Sequence, residues 1–536
     1  MDLLAARCVP SFRRIEAVLL GFYLAFAGLI AACHEPWTDE AQAWLLAREN
    51  GLGTLLLHRL HYEGTPGLWH LLLWLLCRLH FSYGAMHGTT VLLGGAAAFL
   101  ILRSSPFPPL VRWLLPFSVA LAYQIPIVAR SYSLVPLFAF ALCALFSANR
   151  QRPWLVALMA GLLANTSLVA AFLAAGLALY FFIAYKSQEK IREKIPAVAI
   201  FAGLCLFAIY TALPAPDTSE GQARALAANP RVAAVLGKLT GSAARCSAGC
   251  PSAGSCQPAT GNNSYHPHPK SKHGGPWLGL VHIASLAFFP ISNFNLLALG
   301  FYVALLVWQW KHKALLCSLP LVAVLLGAKI LPFNEHHTAV FWTAIVATLW
   351  LTWARIAPKE KSLVDGIFIG VLLAVLVQQI AWTAFAARYD LNQPYDGSAQ
   401  AAQFLIDNAG GRAVAGFNYH SIGLEPYVVQ KLYTNQETTY WPWSCAADSD
   451  AKIHETLASK PAFVVAGESY DGDVSWRNQI VKEKPAWVRN DEDGIAEDLQ
   501  AHGYRSTHRF CGQQPAQFGF SEKTCELIYE PVGSER

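Results

Sequence analysis

Residues 34–50, HEPWTDEAQAWLLAREN, carry two adjacent carboxylates, Asp39 and Glu40, directly after a long apolar run. Thr38 or Asp39 is placed to cap a short helix, because a side-chain oxygen there accepts a free backbone N–H. Ala41, Trp44 and Leu45 follow at helical spacing and give that helix an apolar face suited to a membrane surface. An acid in the first turn is held as the anion by the helix dipole. Partly buried beside lipid, it can act as a general base. The plainer account is a helix cap with one solvated neighbour.

Other stretches bring polar side chains close to apolar runs, where they are costly and therefore functional candidates. Residues 61–70, HYEGTPGLWH, offer His61 and Glu63, which can face back toward Asp39. Residues 129–133, ARSYS, offer Arg130 and Tyr132. A guanidinium matches phosphate geometry, although snorkelling to a lipid headgroup would also account for Arg130. Residues 333–338, FNEHHT, offer His336 and His337, and Asn165 and Thr166 interrupt another apolar run.

The elements that must hold these groups are membrane helices. The chain of 536 residues is 54% hydrophobic and 14% charged, against about a quarter charged in soluble proteins. Runs at 15–33, 131–148, 195–213, 314–331, 337–353 and 363–385 are of the length, roughly 20 residues, that crosses about 30 Å of hydrocarbon. The expected fold is mainly α: a polytopic transmembrane bundle of about 11–13 spans with a small C-terminal α/β domain outside the cytoplasm. The net charge of +5 is small, and the basic residues cluster at helix ends. They set topology and do not form a nucleic-acid surface.

Arg13 and Arg14 place the N-terminus in the cytoplasm, and residues 34–65 form the first outer loop. Lys311, Lys313, Arg355, Lys359 and Lys361 mark further cytoplasmic ends, so the last run delivers residues 389–536 outside. The expected membrane is the plasma, or inner, membrane. One conflict remains in the first half. Two apolar runs, 66–80 and 89–102, precede Arg103 and Arg112, and two full crossings would put those arginines outside. Either the first run does not cross or the charge rule fails there.

Residues 214–276 read as a flexible outer loop. It holds Cys246, Cys250 and Cys256 with His266, His268 and His273, but C-x3-C-x5-C is not a zinc spacing, and no metal ligand is assigned. Beyond residue 389 charged residues return. Helices are expected at 398–408 and 493–501, and strands at 413–417, 462–466, 504–511 and 525–529. Cys511 and Cys525 flank a plausible hairpin and are the preferred disulfide pair.

Taken together, residues 10–390 resemble the C-type-fold superfamily of polyprenyl-phosphate-sugar-dependent membrane glycosyltransferases. Protein O-mannosyltransferases and the aminoarabinose transferase of lipid A are members. The resemblance rests on the Asp39–Glu40 pair after the first span, the helix start at Thr65, Pro66, Gly67, Leu68 and Trp69, and the helix start at Ala129 and Arg130. It implies an inverting sugar transfer at the outer face to a lipid, glycan or protein acceptor. Asp39 and Glu40 would be catalytic, with Asp39 as base. Arg130, aided by His336 or His337, would hold the phosphate, and Tyr132, His61 and Glu63 would line the substrate site. Glu40 and Glu63 would orient the acceptor or a divalent cation, the only cofactor left open. The chain departs from the family at Gly67, at Ser131–Tyr132–Ser133, where an acid is common, and at Asn165–Thr166, where one branch has Lys. Donor sugar and metal use therefore stay open. The rival readings are a lipid flippase, whose polar groups would lie deeper in the spans, and a catalytically inactive scaffold of the same fold.

Overall fold

In the computed structural model, the described residues are 14–147, 152–184, 191–213, 215, 288, 296–331, 337–356, 362–443, 450–473, 487–490, 495–517 and 520–533. His336, Cys445 and nearly all of the 214–276 loop, with its cysteines and histidines, lie outside them.

The chain is mainly helical. Its first part contains α1 (Arg14–Cys33), α2 (Thr38–Glu49), α3 (Leu68–Arg78), α4 (Ala85–Ser104), α5 (Val135–Ser147), α6 (Pro153–Ala164), α7 (Leu168–Ala184), α8 (Ile191–Ala212), α9 (Leu296–Lys311), α10 (Leu319–Ile330), α11 (Thr338–Arg355) and α12 (Leu363–Asn392). Among the described residues four helices are long and apolar enough to cross a membrane: α1, α4, the 195–212 part of α8, and α12. Side chains such as Val18, Leu92, Phe182, Leu206 and Val377 point outward and are exposed. An apolar outer face of this extent suits lipid and not water. At the centre stands α11, buried on every side from Thr338 to Thr352, as expected of a helix that is apolar all round.

Close packing lets α4 lie against α1. A Cβ at Gly94 would meet the Tyr23 hydroxyl at 2.7 Å, so a small residue is required for the backbones to approach. The two ends are then tied by polar contacts. Near the start of α1, Glu16 binds Arg112 at 3.2 Å. At the other end, Glu40 of α2 lies 3.2 Å from His87 of α4. Only α4 therefore runs between the 34–65 segment and Arg112. Helix α3 has 11 residues, or about 16 Å, half the hydrocarbon thickness. It ends on a left-handed turn at His80 (φ 59°), and Arg78 donates to Asn50 O at 2.9 Å. The run at 66–80 thus packs beside α2.

The C-terminal unit contains α13 (Ser398–Ala409), β1 (Val414–Phe417), α14 (Asp450–Ala458), β2 (Phe463–Asp473), β3 (Trp487–Asn490), α15 (Ile495–Ala501), β4 (Tyr504–Gln517) and β5 (Phe520–Pro531). The sheet order is β1-β2-β5-β4, with β3 also on β2; β1 is parallel to β2, and the other pairs are antiparallel. Alternation along the strands sends Ala415, Val464 and Leu527 to one face, with Ile453, Leu457 and Leu499. Val414, Val465 and Ile528 go to the other, against Ala401 and Leu405 of α13. Each such Val, Leu or Ile side chain, fully buried, contributes about 1.5–3 kcal/mol.

The disulfide joins Cys511 and Cys525, which are direct partners across β4 and β5. It closes a loop of 14 residues, worth about 3 kcal/mol in unfolded-state entropy. Replacing both cysteines by Ala should lower the stability of this unit by about that amount. Chemical denaturation followed by tryptophan fluorescence would measure it, and an unchanged midpoint would show the bond to be stabilising nothing.

Candidate functional site

Helix α2 is not laid on a surface with one face in solvent. Thr38 and every residue from Glu40 to Ala47 are buried, because residues of the C-terminal unit cover what the sequence presented as its polar side. Gln42 shows how. Its amide donates to Trp441 O at 2.9 Å and accepts from Trp441 N at 2.8 Å, pairing with backbone 399 positions away. Neither Thr38 nor Asp39 is the cap. Trp37 occupies the N-cap position, and Glu40 reaches back to accept its N–H at 3.0 Å.

Asp39 and Glu40 part company. Adjacent side chains on a helix point about 100° apart, and here they enter different chambers. Asp39 opens into a cleft of about 190 Å³ whose lining includes Glu63, Thr65, His70, Arg130, Tyr419 and Trp443. Arg130 forms an ion pair with Asp39 Oδ2, and Tyr419 donates to Asp39 Oδ1 at 2.7 Å. Burial, followed by the nearby Asp39 charge, raises the Tyr419 pKa well above the usual phenol value, so its hydroxyl stays a donor. The Arg130 guanidinium lies over the rings of Trp37, at 5.3 Å, and Tyr132, at 5.7 Å. Tyr132 in turn meets the His337 ring edge-on, with centroids 5.4 Å apart. Arg130, Tyr132 and His337 thus form a row leading away from Asp39.

Glu63 faces the cleft and accepts from Gln42 Nε2 at 2.7 Å. Burial pushes its pKa up to about 7, with the Asp39 charge adding to the rise and the Gln42 hydrogen bond opposing it. His61 does not reach the cleft. Two positions earlier on the same helical turn, it points the other way. Its Nδ1 lies 2.7 Å from Leu213 O, and its ring packs edge-on to Tyr210 at the end of α8. Asn165 is also engaged in packing. Its carbonyl accepts the Leu68 N–H at the start of α3, and its side chain donates to Leu204 O.

Because the Glu63 pKa is raised on folding, its protonated form stabilises the fold below about pH 4.5, and that contribution is lost as pH rises toward 7. Glu63→Gln fixes the neutral form. Its stability relative to the unmodified protein should therefore grow between pH 5 and pH 8, by about 1–2 kcal/mol. Thermal denaturation at several pH values would test this, and a pH-independent difference would contradict it.

Glu40 is buried on another side of the helix, among His34, His87 and Ala129. One oxygen accepts the Ala129 N–H at 2.5 Å and faces His87 Nε2 at 3.2 Å; the other accepts Trp37 N–H and lies 3.5 Å from His34 Nε2. His34 Nδ1 is hydrogen-bonded to Asp390 of α12 at 3.0 Å, and Tyr123 donates to the same carboxylate oxygen at 2.9 Å. Burial alone opposes ionisation of Glu40, but the hydrogen bonds from His34 and His87 outweigh it and hold the carboxyl below its usual range.

The sequence did not point to Tyr419 or Trp443. Tyr419 follows Asn418, a left-handed residue (φ 58°) whose side chain bridges Gly467 through both its backbone groups, at 2.8 and 3.1 Å. Trp443 itself has φ 49°, a conformation costing a bulky residue about 1–3 kcal/mol. Its ring packs on Tyr419 at 4.7 Å. A left-handed Asn before an aromatic residue is a weak sequence signal, and Trp443 offers none. His34 and His70 lay within the stretches first singled out, without a partner to draw attention to them.

No family model matches the chain, and no curated protein or solved structure matches it either.

Proposed function

We propose that this chain is a membrane-embedded, inverting glycosyltransferase that takes a sugar from a polyprenyl-phosphate donor at the extracytoplasmic face. The observation that carries the reading is the meeting of Asp39 and Arg130, 91 positions apart, in one cleft with Glu63 and Tyr419. A carboxylate beside an immobilised guanidinium supplies the two functions such a transfer needs: a proton acceptor and a phosphate holder.

In this mechanism the acceptor hydroxyl or amine gives its proton to Asp39 and attacks the anomeric carbon. The bond from that carbon to the phosphate oxygen breaks in the same displacement. Polyprenyl phosphate leaves with its charge against Arg130, and the row through Tyr132 to His337 extends the contact surface for the departing group. Glu63 orients the acceptor. Glu40, turned away from the cleft, acts on Asp39 and Arg130 only by fixing their backbone.

As it stands the cleft is too small for a whole substrate. Ligand sites occupy about 300–1,000 Å³, and this one is about 190 Å³. Both Asp39 oxygens are already engaged. A donor phosphate competing for Arg130 would free Asp39 and enlarge the cleft in one movement, so donor binds before acceptor.

In the topology that goes with this reading the N-terminus is cytoplasmic. The ends bearing His34, His87, Arg130, His337 and Asp390 lie outside together with the C-terminal unit, in the plasma (inner) membrane. The short apolar helices complete the polytopic bundle.

The test is reconstitution of the purified chain in vesicles with a panel of polyprenyl-phosphate sugars, following release of polyprenyl phosphate. Release with at least one donor, dependent on an added acceptor, is the expected result. Silence across the panel, from protein whose C-terminal reporter confirms an extracytoplasmic end, would remove the reading.

A further inference from the structure

The chamber behind the cleft contains an arrangement that the transfer reading does not use. His34 Nε2 is completely buried and faces Glu40 Oε2 at 3.5 Å. Its Nδ1 is committed to Asp390, so Nε2 is the ring atom left to face the Glu40 carboxylate. A buried carboxylate and an imidazole nitrogen at that range share a cation between them, a proton or a metal ion. His87 Nε2 approaches the same carboxylate at 3.2 Å, and no two of the three donor atoms are more than 4.8 Å apart.

The two closest approaches, to different oxygens of Glu40, are near the spacing that an ion sets. A tetrahedral metal bound at about 2.0–2.1 Å holds its ligand atoms about 3.3 Å apart. The donor set is two imidazoles and a carboxylate, which is the chemistry of zinc and its neighbours and not of magnesium or calcium. The outer partner is also in place: a ligating histidine usually gives its other N–H to a carboxylate, which fixes the ring and the tautomer, and Asp390 stands there for His34. Charge balance agrees. Glu40 and Asp390 share one buried volume, and a single divalent ion neutralises both.

We propose that His34, Glu40 and His87 bind one divalent transition-metal ion of the zinc class, with Asp390 orienting His34. The ion ties the end of α1, the first turn of α2 and the start of α4 together, and through Asp390 it draws in α12. Its role is structural, because none of its three ligands is among the residues that line the cleft. The proposal does not depend on what the cleft transfers.

The test uses the full chain purified in detergent without chelator, loaded with Zn²⁺ or Co²⁺, desalted and assayed for metal per protein. About one ion per chain is expected. It should persist when Cys246, Cys250 and Cys256 are all replaced by Ser, and fall away in His34→Gln and His87→Gln. Chelator should lower the thermal midpoint of the unmodified protein and leave that of His34→Gln unmoved. Asp390→Asn keeps all three ligands, and chelator competition should show its affinity reduced about 10–100-fold. Three outcomes would overturn the proposal: monodisperse, folded protein that retains no metal; an ion lost with the cysteines; or an ion undiminished in the His34→Gln, His87→Gln double variant.

Discussion

Asp39→Asn should lower sugar transfer by about 100-fold or more, with little change in the amount of folded protein. The amide keeps the volume of the carboxylate and can still accept from Tyr419, whose hydroxyl lies 2.7 Å from Oδ1. It cannot take a proton. The ion pair with Arg130 is lost, but Asp39 and Arg130 are only about three-quarters covered, with side-chain exposures of 26% and 24%. The cost in stability is accordingly modest beside the effect on rate. The informative comparison is between turnover and donor affinity. Removal of a base lowers kcat and leaves donor binding intact or even tighter, since Arg130 is released from its intramolecular partner. A variant that loses donor binding and keeps its rate would make Asp39 a scaffold for Arg130 and leave the base unassigned.

Arg130→Ala should cost about 100–1,000-fold in turnover, the usual consequence of removing a charge that meets a developing anion. Arg130→Lys should fall between, at roughly 10-fold, because it keeps the charge and loses the planar fork. The surroundings sharpen this expectation. The guanidinium is flanked by the faces of Trp37 and Tyr132, and a planar group stacks there in a way that an ammonium does not. Donor affinity and kcat should therefore fall together in both variants, since the phosphate gains charge as the sugar departs. If Arg130 only anchored the helix end to lipid, lysine would serve as well, and the Lys variant would match the unmodified protein in both measurements.

The parts of this molecule that could be read from sequence are those governed by local rules. Hydropathy located α12, although the helix continues to Asn392, seven residues past the apolar run, because its last turns are buried against His34 and Tyr123 instead of ending at the lipid boundary. Alternation found the core of β2 at 462–466 but not its continuation to Asp473, which is set by pairing with β5. The convergence of Asp39, Glu63 and Arg130 on one cleft followed from topology. Their division of labour did not. Whether Asp39 or Glu40 faces the cleft depends on the rotation of α2, and that is fixed by Gln42 gripping Trp441 and by Glu40 gripping Ala129. The same loss of rotational information placed His61 beside Glu63 in prospect and beside Tyr210 in fact. Tyr419 and Trp443 reach the site from the far end of the chain, where no spacing rule applies.

The grip of Gln42 on Trp441 has a consequence for how the protein is made. A ribosome adding about 5–20 residues per second delivers residue 441 tens of seconds after residue 42. Throughout that interval α2 is already synthesised, with the Gln42 amide lacking its final partner and the floor of the cleft uncovered. Nascent chains that stop short of residue 441 would present this bare face to whatever assists membrane insertion. Closure over α2 therefore waits until residue 441 has been made.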